Sequence, residues 1–109
     1  MRETGKDGYQ SKLIKTIKKT FPGAIVLKNN ANLNPGIPDL TVLYEDHWCA
    51  IEVKASAKAS YRPGQEHYLE KMKNMSCSFT AYPENHEDVI DGLQQAFQPD
   101  GRPRLPERK

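Results

Sequence analysis

Residues 36–54 read GIPDLTVLYEDHWCAIEVK, and the placing of apolar and charged residues in this stretch decides the fold. Leu40–Tyr44 and Trp48–Val53 are rich in Val, Ile, Leu, Thr and aromatic residues, which is a strand composition, and Glu45-Asp46 between them suits a turn. An antiparallel hairpin through that turn pairs Tyr44 with His47 and Val42 with Cys49, and it brings Asp39 opposite Glu52. Side chains alternate faces along a strand. Asp39, Thr41, Leu43, Trp48, Ala50, Glu52 and Lys54 therefore share one face. Leu40, Val42, Cys49, Ile51 and Val53 share the other, which reads as core. A three-residue loop would break this register.

Like charges placed directly across two strands repel. On most hairpins such residues simply form a solvated edge. Here the strands are otherwise apolar and the charges gather at one end, so a shared cation is the better account. A hard cation such as Mg2+ takes oxygen ligands, often only one or two carboxylates together with substrate phosphate. Asp39 and Glu52 suit that role, and the carbonyl of Val53 could add a third ligand. Lys54 lies two residues after Glu52, on the same face. Its ammonium could orient or help deprotonate an attacking water, or stabilise charge building at a phosphoryl group. Phosphodiester hydrolysis is the reaction that fits this set best.

Gln65 opens a second helix on the same stripe as Tyr68, Leu69, Met72 and Met75, so it should face the sheet. It either orients a water or touches substrate, or it serves as a helix-capping or buried hydrogen-bonding amide. Lys28 ends the first strand near the site and is a candidate phosphate contact. Lys12 and Lys15 on the first helix, with Lys58 and Arg62 in the loop after the hairpin, are further candidates. Residues 1–28 hold Arg2, Lys6, Lys12, Lys15, Lys18, Lys19 and Lys28 against Glu3 and Asp7, whereas Glu84, Glu87, Asp88 and Asp91 stand without a basic residue over 76–97. That asymmetry suits a polyanionic partner on one side.

The rest of the 109 residues forms one domain around the hairpin. The pattern predicts a flexible stretch over 1–8, a helix over Tyr9–Thr20 and a strand over Ala24–Lys28, followed by the Asn- and Pro-rich loop Asn29–Gly36. After the hairpin come a polar loop over Ala55–Pro63, a helix over Pro63–Asn74 and a strand over Cys77–Tyr82. A third helix carries Val89, Ile90, Leu93 and Phe97, which closes a single domain over 9–97, and a disordered basic tail covers 98–109. Cys49 and Cys77 form no CxxC pattern and read as reduced, buried thiols. His47, His67 and His86 lack zinc-ligand spacing. Neither a Gly-rich phosphate loop nor a Ser–His–Asp arrangement can be argued. The chain carries no apolar run of spanning length and no signal-peptide core, which predicts a protein of the cytosol.

Gly36-Ile37-Pro38-Asp39, Glu52-Val53-Lys54 and Arg62-Pro63-x-Gln65 together resemble the PD-(D/E)XK nuclease superfamily. The likeness is greatest to the small stand-alone VRR-Nuc domains of phage and bacterial genomes, and it spans roughly residues 9–82. The resemblance implies a restriction-endonuclease-like αβββαβ core, an α/β fold with a mixed central sheet flanked by helices. It implies metal-binding carboxylates at Asp39 and Glu52, the family's lysine at Lys54 and its helical glutamine at Gln65. It further implies Mg2+ as cofactor with Mn2+ as substitute, DNA as partner, and cleavage of branched or Holliday-junction DNA by a homodimer in phage or host cytosol. Many relatives add an acidic residue on the first helix, whereas Tyr9-Gln10-Ser11-Lys12 offers none, which leaves a second metal open. Two other functions stay in view: a non-catalytic nucleic-acid-binding module of the same fold, and a partner-binding protein acting through the acidic third helix.

Overall fold

The hairpin sits at the centre of the sheet with the expected register. In the computed structural model, which describes residues 5–98, β2 (Leu40–Tyr44) pairs antiparallel with β3 (His47–Val53). Tyr44 faces His47 and Val42 faces Cys49. Glu45 turns the chain with φ 56°, leaving a two-residue connection that preserves the pairing. β1 (Ile25–Lys28) adds to β2 antiparallel, and β4 (Ser78–Ala81) adds to β3 parallel. The sheet order β1-β2-β3-β4 is thus mixed, as expected.

Three helices cover it: α1 (Gly5–Thr20), α2 (Gln65–Met75) and α3 (His86–Ala96), the last entered through a short 3-10 turn at Pro83–Asn85. Tyr9, Leu13 and Ile17 of α1 and Val89, Ile90 and Leu93 of α3 meet Leu40, Val42, Cys49, Ile51 and Val53 in one buried cluster. Period-two alternation therefore puts α1 and α3 on the face predicted as core. α2 lies on the opposite face, where Leu69 O accepts a bond from Ser78 Oγ and Gln65 reaches Glu52. Buried on both faces, β3 holds Glu52 out of water, and Lys54 just past its end is buried as well. β1 is only half covered, with Ile25 54% and Leu27 45% exposed.

Several boundaries differ from the sequence reading. α1 begins at Gly5, not Tyr9, so residues 5–8 are helical rather than flexible. The glycines at 5 and 8 suggest a break that the packing of Tyr9 and Leu13 overrides. α2 starts at Gln65, because Gly64 takes a left-handed φ of 87° that no helix interior holds. Met75, expected on the covered stripe, is 61% exposed at the end of α2. Cys49 and Cys77 are paired as a disulfide rather than free thiols. The parallel β3–β4 register sets them side by side with Cα atoms 4.8 Å apart, within disulfide range. The expected disordered tail falls, except for Gln98, outside the described residues.

Candidate active site

Two chain segments must meet for the carboxylates to share one place, and both are locked by backbone contacts. Asp39 immediately precedes β2, and its Oδ2 accepts the Val53 N–H at 2.8 Å. That bond extends the β2–β3 ladder by one side chain and brings Asp39 to the end of β3 that carries Glu52. Asn29 clamps the same segment from β1's side. Its Nδ2 donates to Pro38 O and to Thr41 Oγ1, each at 3.0 Å, and its own N–H donates to Asp39 O at 2.8 Å.

Gly36 brings this loop against the start of α2. Its φ is 90°, and a Cβ there would lie 2.8 Å from the carbonyl carbon of Gly64. Backbone meets backbone at this point, so only glycine fits. Gly36→Ala is expected to cost about 2–4 kcal/mol, through left-handed strain and displacement of the Gly64 turn. A urea titration of the variant against the parent chain checks this, and a loss under about 0.5 kcal/mol would contradict the close approach.

Glu52, Lys54 and Gln65 form a buried polar chain. Gln65 Nε2 donates to Glu52 Oε2 at 2.8 Å, while its Oε1 accepts from Lys54 Nζ at 2.7 Å and from the Arg62 N–H at 2.6 Å. Lys54 Nζ also donates to Ser60 O at 3.0 Å and stands 5.0 Å above the Tyr61 ring centre. It lies 3.7 Å from Glu52 Oε2. The lysine is thereby held from three sides. Gln65 is buried and links the lysine to the carboxylate.

The electrostatics are unbalanced. Glu52 is fully buried, and its Oε1 meets no hydrogen-bond donor. Burial first, and the nearby Asp39 carboxylate second, push its pKa up to about 7, against the opposing pull of Lys6 and Lys54. A buried carboxylate oxygen without a donor beside a second carboxylate is the donor set a hard cation takes. Asp39, Glu52 and the Val53 carbonyl are thus the residues that could hold one. Among the described residues, no group of three His, Cys, Asp or Glu side chains converges on a metal position. Asp7, which the longer α1 places inside the helix, is exposed and adds no carboxylate here.

The remaining candidates lie outside this cluster. Lys12 and Lys15 are exposed on the outer side of α1, and Lys58 and Arg62 are exposed in the loop before α2. Lys28 pairs with Leu40, so its side chain stands on the sheet face opposite Asp39 and Glu52. It ends β1 beside the start of β2, but not on the face that carries the cluster.

Lys6 is the residue that sequence reasoning missed. Its Nζ lies 3.1 Å from Asp39 Oδ2 and 3.9 Å from Glu52 Oε2. A signal was available, because Lys6 stands three residues before Tyr9 and seven before Leu13, on the inward stripe of α1. The glycines around it concealed that the stripe continues.

A mixed sheet with helices on both faces thus carries a two-carboxylate, lysine and glutamine cluster at one end of its central hairpin, in an α/β fold. Among solved structures, a chain described as "VRR_NUC domain protein" superposes with a TM-score of 0.63 at 17% identity, covering 89% of this chain and 91% of that one. The fold is therefore that of a VRR-Nuc domain, and at this identity the likeness is one of fold. No family model and no curated protein sequence matches the chain.

Proposed function

We propose that this chain is a Mg2+-dependent endonuclease that hydrolyses DNA phosphodiester bonds. The observation that carries the reading is the buried Glu52 Oε1 without a donor, next to Asp39 and fixed through Gln65 to Lys54. A structural role alone would gain from a fully satisfied or apolar cluster at that point. Asp39 and Glu52 would hold Mg2+ or Mn2+. The Val53 N–H donates to Asp39, and in an extended strand the carbonyl of a residue lies on the same side as its N–H, so the Val53 carbonyl is suited to join them. When bound, such an ion supplies positive charge to a phosphoryl oxygen and acidifies water.

Lys54 carries out its part as a fixed point charge. Ser60, Gln65 and the Tyr61 ring hold it in one position, so its ammonium can meet charge developing on a phosphate without reorganising. Gln65 keeps Lys54 and Glu52 at their separation. Lys12, Lys15, Lys58 and Arg62 are the proposed phosphate contacts, and binding through them weakens with added salt. Lys28 would contribute from the other sheet face. The reading includes a twofold homodimer, since one chain has one such centre and cutting both strands of a duplex or junction needs two. The exposed Ile25 and Leu27 of β1 supply apolar surface for that pairing. Among the described residues, no helix is long and apolar enough to cross a membrane.

A second reading has one observation in its favour. Lys6 places an ammonium where a metal ion would sit between Asp39 and Glu52, as a nucleic-acid-binding module without catalysis could. Incubating the protein with linear, flapped, single-stranded and four-way-junction DNA, with Mg2+ or Mn2+, separates the two. Cutting in any lane supports the nuclease, and a preference for the junction supports structure selectivity. Binding without cutting in every lane supports the module instead.

A further inference from the structure

Two lysines approach the same Glu52 oxygen, and they are held very differently. Lys54 has a side chain only 9% exposed and is restrained by a carbonyl, an amide oxygen and an aromatic ring. Lys6 has a side chain 38% exposed, stands in the first turn of α1, and is held at its ammonium by ion pairs to the two carboxylates. A long, partly solvated ammonium of this kind exchanges readily with water. Its neutralisation is also incomplete, since Glu52 Oε1 still meets no donor.

We propose that Lys6 is a displaceable countercharge, which competes with a divalent cation for Asp39 and Glu52 and must swing away before the site loads. The inference rests on the metal-binding reading above and adds a residue that sets how tightly the ion is held. A dication brings twice the charge of the ammonium to the same two carboxylates, so it wins once its concentration is sufficient. Until then Lys6 limits the repulsion between Asp39 and Glu52. Once released, the same side chain lies at the rim of the site, where a phosphate is the natural next partner.

Competition makes an unusual demand, namely that deleting a residue at the site should strengthen ligand binding. Isothermal titration of Mn2+ into the full chain at pH 8 tests it, using the parent protein, Lys6→Met, Lys6→Arg and Glu52→Gln. Methionine keeps the apolar stem and a good helix former in α1, so the fold is not at stake. Lys6→Met is expected to bind Mn2+ about 5- to 30-fold more tightly than the parent, in the ordinary range of coupling between two ligands. Lys6→Arg should stay within about threefold of the parent, because it restores the charge. Equal or weaker Mn2+ binding by Lys6→Met, with Glu52→Gln clearly impaired, would overturn the role of Lys6 and leave the metal site standing. No Mn2+ binding by either the parent or Lys6→Met would overturn the metal-binding reading, and the role of Lys6 with it.

Discussion

Lys54→Met should abolish nearly all DNA cleavage, by about 10^2- to 10^4-fold, while DNA binding changes little. The methionine stem fills the same space, so the loss comes from the charge. Removing the ammonium leaves Gln65 Oε1 with only the Arg62 N–H and leaves Glu52 without its fixed cation. Breaking one partner out of a buried charged set is costly, about 3 kcal/mol where Glu52 is ionised. The penalty should shrink at pH 6, because Glu52 can then take up a proton, given a pKa pushed up to about 7. Urea unfolding at pH 6 and pH 8, together with single-turnover cleavage, checks both halves. A variant that cuts within tenfold of the parent would remove Lys54 from the chemistry.

Glu52→Gln is expected to lose at least about 10^3-fold in cleavage, since several kcal/mol of charge stabilisation depend on the ion it would hold. Its effect on stability has the opposite sign. The Glu52 carboxyl rises from an ordinary 4.5 to about 7 in the fold. Below pH 4.5 folded and unfolded chains both keep the proton, and its contribution to stability is fully present. As the pH climbs through 7 the folded carboxyl must ionise, buried and beside Asp39, and that stability is lost. Glutamine never ionises. In chelator, Glu52→Gln should therefore exceed the parent by about 1–3 kcal/mol at pH 8 and match it below about pH 4. A stability difference that does not vary with pH would contradict the buried, strained carboxylate. Gain of stability with loss of activity is the signature of a group kept for function rather than for folding.

Much of this site was legible because it lies on regular structure. Period-two alternation and a short turn are enough to expect Asp39 opposite Glu52 and Lys54 on their face; the register follows that reading from Tyr44–His47 to Leu40–Ile51, and beyond it Asp39 meets β3 through its side chain. Gln65 was legible as the inward residue at the start of a helix. What escaped depended on loops and helix ends, where side-chain spacing says little. Asn29 acts through three hydrogen bonds to a segment nine to twelve residues away, and nothing in an Asn-rich run marks which asparagine does so. Gly36 reads as one more turn glycine until Gly64 is found against it. Lys6 was hidden by a boundary error of four residues, because local propensity at Gly5 and Gly8 argues for fraying while the tertiary packing of Tyr9 and Leu13 extends the helix. The Cys49–Cys77 pairing likewise depends on the parallel strand register, which no local spacing reveals.

The central claim is that Asp39, Glu52 and Lys54 form a cation-dependent phosphodiesterase centre. Its most direct test is the initial rate of nicking of supercoiled plasmid DNA by the purified chain, in Mn2+ and in chelator. The same assay should include Lys54→Met and Glu52→Gln, matched to the parent by circular dichroism. The account predicts nicking in Mn2+ that chelator stops and that both variants lose. Nicking that persists in chelator, or that both variants retain at the parent's rate, would contradict it.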